Sequence, residues 1–246
     1  MRKMSAALIR KLTGTPAAPA YSHTMVTFDG TADYLVRGGT PTGFIDARYM
    51  TIAFKIKPNK VAGTLQNILH FGAANARIAL DATNKVAITL SSANFPAGIG
   101  GSSGTAMTTG QEYTCHFAID MQTGSSQLFY LNGVSDIGSI IAATTGDAIW
   151  STLTNAAIGA ATGGTVKLEA GIGFFWFTMG NTTDSYITDA TKFYNGGDVN
   201  LGTNGTGSGL TQPVIFWGGS NNAAHWNAGI NAGSGADTWT MNGAVA

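Results

Sequence analysis

The chain has 246 residues, enough for one large all-β domain or two small ones, and 44% of them are apolar, so it can bury a core. Only 11% are charged, thirteen basic residues balance thirteen acidic ones, and 34 glycines with many small hydroxyl and amide residues fill the difference. Such a surface excludes a nucleic-acid binder, which needs clustered Lys and Arg, and no apolar run approaches the ~20 residues of a membrane span.

The balance of charge is not local. Residues 1–85 hold eleven Lys/Arg and four Asp/Glu, and the remainder holds two and nine. Much of that split lies at the start, MRKMSAALIRKLTGTPAAPAYS, residues 1–22. Arg10 and Lys11 interrupt the apolar stretch 4–9, which is too short for the core of a secretion signal. Met1, Met4, Leu8 and Leu12 recur at helical spacing with Arg2, Lys3, Arg10 and Lys11 along the flank. Residues 13–20, with Gly14, Pro16 and Pro19, read as a linker. Residues 1–22 are therefore expected to be a basic amphipathic arm that docks through Met4, Leu8, Arg10, Lys11 and Leu12 on something outside the domain. A disordered tail is the alternative. Residues 23–246 form the expected domain.

Strands follow in close order. Residues 25–28 open the domain, and residues 51–57 set Ile52, Phe54 and Ile56 on one face and Ala53, Lys55 and Lys57 on the other, with Pro58 ending the strand. Residues 67–71, 77–80 and 85–90 are the next strands, and residues 94–110 read as a Gly/Ser-rich loop. In YTCHFAIDMQTGSSQLFYLNGVSD, residues 113–136, Tyr113, Cys115, Phe117, Ile119 and Met121 share one face while Thr114, His116, Ala118 and Asp120 share the other. Residues 127–131 run back, and Asn132-Gly133 offers the φ > 0 pair of a tight hairpin. Cys115, the one cysteine, lies on the apolar face as a buried small hydrophobe and rules out an internal disulfide.

Residues 165–177 carry the longest alternation, with Val166, Leu168, Ala170, Ile172, Phe174 and Trp176 facing one way. The other face turns apolar at Phe175 and Phe177, so that end is expected to be covered on both sides. Tyr186, Ile187, Ala190, Phe193 and Tyr194 fall on one helical face, with caps at residues 182–184 and a stop at Gly196-Gly197. Strands return at residues 214–217 and 239–241. The pattern predicts an all-β fold: a two-sheet antiparallel jelly-roll sandwich with one short helix and an N-terminal arm, a closed barrel being the alternative.

These residues carry a resemblance. MVTFDGTADYL, TIAFKIKP, QNILHFG, the 113–136 hairpin, AAIGAATGGTVKLEAGIGFFWF and the Tyr-Asn-Gly-Gly at residues 194–197 occur in an order similar to the laminin-G-like branch of the concanavalin A-like lectin/glucanase superfamily. The resemblance covers roughly residues 25–217 and implies the sandwich rather than an activity. The tail WNAGINAGSGADTWTMNGAVA resembles the endings of similar domains in bacteriophage virion proteins.

The enzyme branch of that superfamily hydrolyses β-glucans with a Glu-x-Asp-x-Glu strand, because the reaction needs an acid and a nucleophile about 5–5.5 Å apart. Here Glu112 and Glu169 are the only glutamates, and neither has an acidic residue two or four positions away. His23, His70, His116 and His225 are dispersed without metal-ligand spacing, and the Gly-rich run 98–104 lacks a following Lys-Ser/Thr. His116 is expected as a structural or surface histidine. No cofactor is expected. The resemblance raises Ca2+, for which Asp33, Asp198 and Asn200 offer oxygens, but no loop concentrates carboxylates. Among the tryptophans, Trp176 and Trp217 read as core, and Trp226, within Ala-His-Trp-Asn-Ala, is the best exposed candidate. It either stacks a sugar with His225 and Asn227 beside it or pins the C-terminal tail onto the sandwich.

The sequence thus predicts a non-enzymatic virion structural protein with a lectin-like sandwich, partnered by other virion proteins and by itself, with a surface glycan as a further ligand. A secreted carbohydrate-binding module is the alternative.

Overall fold

The computed structural model describes residues 21–246 except 61, 73–75, 93–94, 124–126, 143–146 and 219–221. The expected arm residues Met4, Leu8, Arg10, Lys11 and Leu12 lie outside the described residues. Two antiparallel sheets face each other. The first orders β1 (Val26–Asp29), β13 (Glu169–Gly180), β3 (Tyr49–Pro58), β8 (Tyr113–Asp120), β9 (Gln127–Leu131) and β10 (Val134–Ser135), with β14 (Ile215–Trp217) also on β13. The second orders β11 (Ile137–Ala142), β7 (Phe95–Ser103), β6 (Val86–Ser92), β5 (Ala76–Leu80), β4 (Gln66–Phe71), β12 (Asn155–Ile158), β2 (Tyr34–Gly38) and β15 (Thr240–Asn242). This is a jelly-roll sandwich and not a closed barrel.

The inner faces build the core. Phe28, Ile52, Phe54, Ile56, Cys115, Phe117 and Ile119 from the first sheet meet Leu35, Phe71, Ile78, Leu80, Val86, Ile88 and Leu90 from the second. Phe44, Phe71, Trp150 and Phe177 close one end as a cluster of edge-to-face and tilted rings with centroids 5.0–6.0 Å apart. The hairpin after β9 turns as its residues require, with Asn132 at φ 50° and Gly133 at φ 75°.

One strand serves two layers. In β13 the register against β3 slips between Ile172, opposite Ile56, and Phe174, opposite Lys55. Gly173 is the extra residue of this bulge, and a Cβ there would meet Met25 Sδ at 2.9 Å and Lys55 Cδ at 3.0 Å. The simple alternation expected from the sequence is therefore broken. Ala170, Ile172, Phe175 and Phe177 face the central core, whereas Phe174 and Trp176 face outward. There they join Ala53, Phe193, Leu201, Leu210 and Phe216 in a second apolar layer beneath residues 181–214. The expected covering on both sides is present.

Three local expectations change. The helix expected around Tyr186–Tyr194 is instead two 3-10 turns, Thr183–Ser185 and Ala190–Lys192, with extended chain between them. Its backbone is captured by the sheet below: Thr51 Oγ1 donates to Ser185 O at 2.8 Å and accepts from Ile187 N at 3.0 Å, and His116 Nε2 meets Ile187 O at 2.8 Å. With those groups satisfied by the sheet, a helix has nothing to offer them. The short helix, α1, spans Asn222–Ala228. The Gly-rich run 94–110 is not a loop throughout, because β7 pairs with β6 and β11 on its two edges. At Gly101 a Cβ would lie 2.9 Å from Ser139 O, so the missing side chain suits the close neighbour.

Candidate functional site

A polar cleft of about 300 Å³ opens on the covered outer face of the first sheet. Its floor is Lys55, placed outward by the alternation of β3 and paired in register with Thr114 of β8. Asp198 reaches it from the covering segment and Glu112 from the residue before β8. Lys55 Nζ lies 2.5 Å from Asp198 Oδ2 and 2.7 Å from Glu112 Oε2. Lys55 is only 4% exposed, while the Glu112 side chain is 44% exposed at the cleft wall. Burial alone would lower the Lys55 pKa, but hydrogen bonds from its ammonium to Asp198 and Glu112 outweigh it and hold the lysine above its ordinary value.

Aromatic rings and an amide complete the walls: Tyr21, Tyr113 and Tyr194, with Asn132 from the hairpin. Asn132 Oδ1 accepts from Thr114 N at 2.8 Å, which fixes the turn against the strand. Tyr21 stands edge-on to His23 at 4.9 Å, and His23 N donates to Asp198 Oδ2 at 3.1 Å. His23 Nε2 meets Val199 O at 3.0 Å. Burial pushes His23 down to about 4, against the pull of Asp198 and the Val199 carbonyl, so it is neutral at physiological pH. Lys55 fills the space between the two carboxylate oxygens, where a glycoside hydrolase would keep the scissile bond. The arrangement presents donors, acceptors and ring faces, which suits binding.

Two other hollows are less telling. One of about 250 Å³ at the far end of the same face is lined by Trp176, Thr178, Met179, Ser185 and Val214, with Asp184 at its rim. Another, among Ile88, Phe117, Phe129 and Gln127, is about 20 Å³ and little more than a packing gap.

The residues singled out from the sequence lie elsewhere. Trp226, expected to be the most exposed tryptophan, is 0% exposed. Its ring stacks on Trp217 at 5.4 Å and stands edge-on to Phe28 at 5.5 Å, because α1 turns it inward. It has no face to offer a sugar and takes the tail-pinning role. Asn227 does likewise, donating to Val245 O at 3.1 Å and accepting from Val245 N at 2.9 Å. His225 sits on the same helix, half-buried. None of the three lines the cleft. His116 is not a surface residue: it is 2% exposed, between Tyr130 at 5.4 Å and Phe193 at 4.7 Å.

The oxygen ligands considered for Ca2+ are dispersed. Asp33 Oδ1 accepts from Ala244 N and its Oδ2 from Asp29 N, Asn200 Oδ1 accepts from Gly202 N, and Asp198 is on Lys55. Among the described residues no group of three or more His, Cys, Asp or Glu converges as metal ligands would. Sequence reasoning missed the cleft because it joins positions 21, 55, 112–113, 132, 194 and 198. The one local signal was Lys55, a lysine set between Phe54 and Ile56 in the middle of a strand.

No family model matches the chain, and no curated protein matches it. Among solved structures it is similar to a putative carbohydrate binding protein from Bacteroides ovatus, at 11% identity and a TM-score of 0.61, over 92% of this chain and 60% of that one. It is also similar to a native heptameric SAP-like pentraxin from Limulus polyphemus, at 13% identity and a TM-score of 0.47, over 70% and 82% of the two chains. The CBM40 of the Ruminococcus gnavus IT-sialidase, bound to α2,3-sialyllactose, matches at 12% identity and a TM-score of 0.41, over 56% and 87%. The chain thus shares a two-sheet sandwich fold with the Bacteroides protein, of whose length it spans 60%.

Proposed function

We propose that this chain is a carbohydrate-binding module that takes a glycan in the cleft over Lys55, without catalysing its cleavage. The observation that carries this reading is the cleft itself: ring faces from Tyr21, Tyr113 and Tyr194 beside a buried ammonium, two carboxylates and an amide. Sugars need that combination, an apolar face to stack and fixed groups to hydrogen-bond their hydroxyls. The fold shared with a putative carbohydrate binding protein supports it. A secreted location suits such a module, and no helix among the described residues is long and apolar enough to cross a membrane. The virion role expected from the arm and tail gains no support from the comparisons, and the glycan-binding reading takes its place.

A panel of oligosaccharides on a glycan array, followed by titration calorimetry of the hits, tests the proposal. At least one glycan should bind without being hydrolysed, and Tyr21→Ala and Tyr194→Ala should each weaken it by about tenfold, or 1.4 kcal/mol. Binding that both variants leave unchanged, or release of reducing ends that survives purification, would refute it.

A further inference from the structure

An ammonium carries three N–H donors and no acceptor. Two of those on Lys55 point at Asp198 and Glu112, and among the described residues no third acceptor meets Nζ. One donor is thus left without a protein acceptor on a side chain that lines the cleft, beside carboxylate oxygens that only accept. The Glu112 carboxylate lies on the open side and can turn toward a ligand, whereas Asp198 is held by both Lys55 and the His23 backbone. A donor and an acceptor side by side match a pair of neighbouring hydroxyls, one accepting from Lys55 and the next donating to Glu112.

The charge count points the same way. The cleft lining contains one cation, Lys55, and two anions, Glu112 and Asp198. His23 behind Asp198 is neutral, so the floor carries a net single negative charge at neutral pH. We propose that the cleft selects an uncharged sugar, held through adjacent hydroxyls by Lys55 and Glu112, and discriminates against sugars that bear a carboxylate. This rests on the glycan-binding reading above and names its ligand class. A ligand carboxylate brought within hydrogen-bond reach of this floor meets net repulsion in a partly desolvated site, where unit charges interact several times more strongly than in water.

The test pairs a neutral sugar with an acidic counterpart: galactose with galacturonate, which differ in one carboxylate, and lactose with 3′-sialyllactose, which adds one acidic residue. Each is titrated against the intact protein and against Glu112→Gln, a change at an exposed side chain that brings the floor to net zero. The neutral member of each binding pair should bind at least about tenfold more tightly to the parent protein. In Glu112→Gln that ratio should fall below about threefold, through weaker neutral binding together with tolerated acid. Equal or tighter binding of the carboxylated member, still lost in Tyr194→Ala, overturns the inference while leaving the glycan-binding reading intact. Failure of every sugar to bind, in these pairs and on the array, overturns that reading, and the inference with it.

Discussion

Two histidines should make this protein acid-labile well above the range where carboxylates titrate. His23 and His116 are 3% and 2% exposed, and each Nε2 faces a backbone carbonyl of the covering segment, Val199 O and Ile187 O. The proton therefore sits on Nε2, and each Nδ1 is buried without a partner among the described residues. Burial pushes both from 6.5 down to about 4, against the pull of those carbonyls and of Asp198 and Asp189. In the unfolded chain both take up a proton near pH 6.5, while the native state stays neutral until about 4. The unfolded state then binds more protons throughout that window, so stability is complete above pH 6.5 and is lost as pH falls toward 4. Each histidine contributes a slope of about 1.4 kcal/mol per pH unit, and the pair loses on the order of 5–7 kcal/mol across the window. That is comparable with the whole stability of a typical domain, about 5–15 kcal/mol. His70, lowered by burial and by Arg77, acts in the same direction. Urea unfolding followed by tryptophan fluorescence at pH 7.5, 6.5, 5.5 and 4.5 measures the slope directly. His116→Gln, which keeps a donor for Ile187 O, should flatten it by about 1.4 kcal/mol per unit. A His23→Gln/His116→Gln double variant with the parent's slope would refute the reasoning.

Emptying the tryptophan site under the tail should be costly and local. Trp226→Ala should destabilise by about 3–5 kcal/mol in a denaturant titration while leaving sugar affinity unchanged, and a loss below about 1 kcal/mol would mean the ring is not in the core. Gly229→Ala should fail to give soluble folded protein, because φ is +65° and the new Cβ would sit 1.7 Å from Trp239 O. A variant melting within a few degrees of the parent would show that this turn can move.

The strand plan was legible in the sequence wherever one face met the core and the other did not. Residues 51–57, 113–120 and 127–131 fall within or on strands β3, β8 and β9. The Asn132-Gly133 turn was legible because its two residues tolerate φ > 0. Two of the failures share a cause, the third layer. Period-two reasoning leaves the polar face of a strand open to solvent, so it cannot choose between a structural and a surface His116, and the choice is made by residues 181–214, which fold back over it. The same covering turned a helical pattern around Phe193 into strap, since its apolar residues serve a flat sheet and Thr51 and His116 satisfy its backbone. The bulge at Gly173 was invisible because one inserted glycine leaves composition and hydrophobicity untouched. The candidate cleft joins residues from five separate stretches of the chain, and only the placement of Lys55 hinted at it.

The pairing of β3 with β13 sets a timetable for synthesis. β3 ends at Pro58, but the strand that completes its far side ends at Gly180, 122 residues later. At about 5–20 residues per second a ribosome takes roughly 6–24 s to make that stretch. β8 can protect one edge of β3 meanwhile, yet the other edge stays unpaired with Ile52, Phe54 and Ile56 beside it. An open, apolar strand edge invites pairing with a neighbouring nascent chain. Yield in a heterologous host should therefore depend on chaperones that hold unfinished chains, and on polysome crowding, far more than on the stability of the finished sandwich.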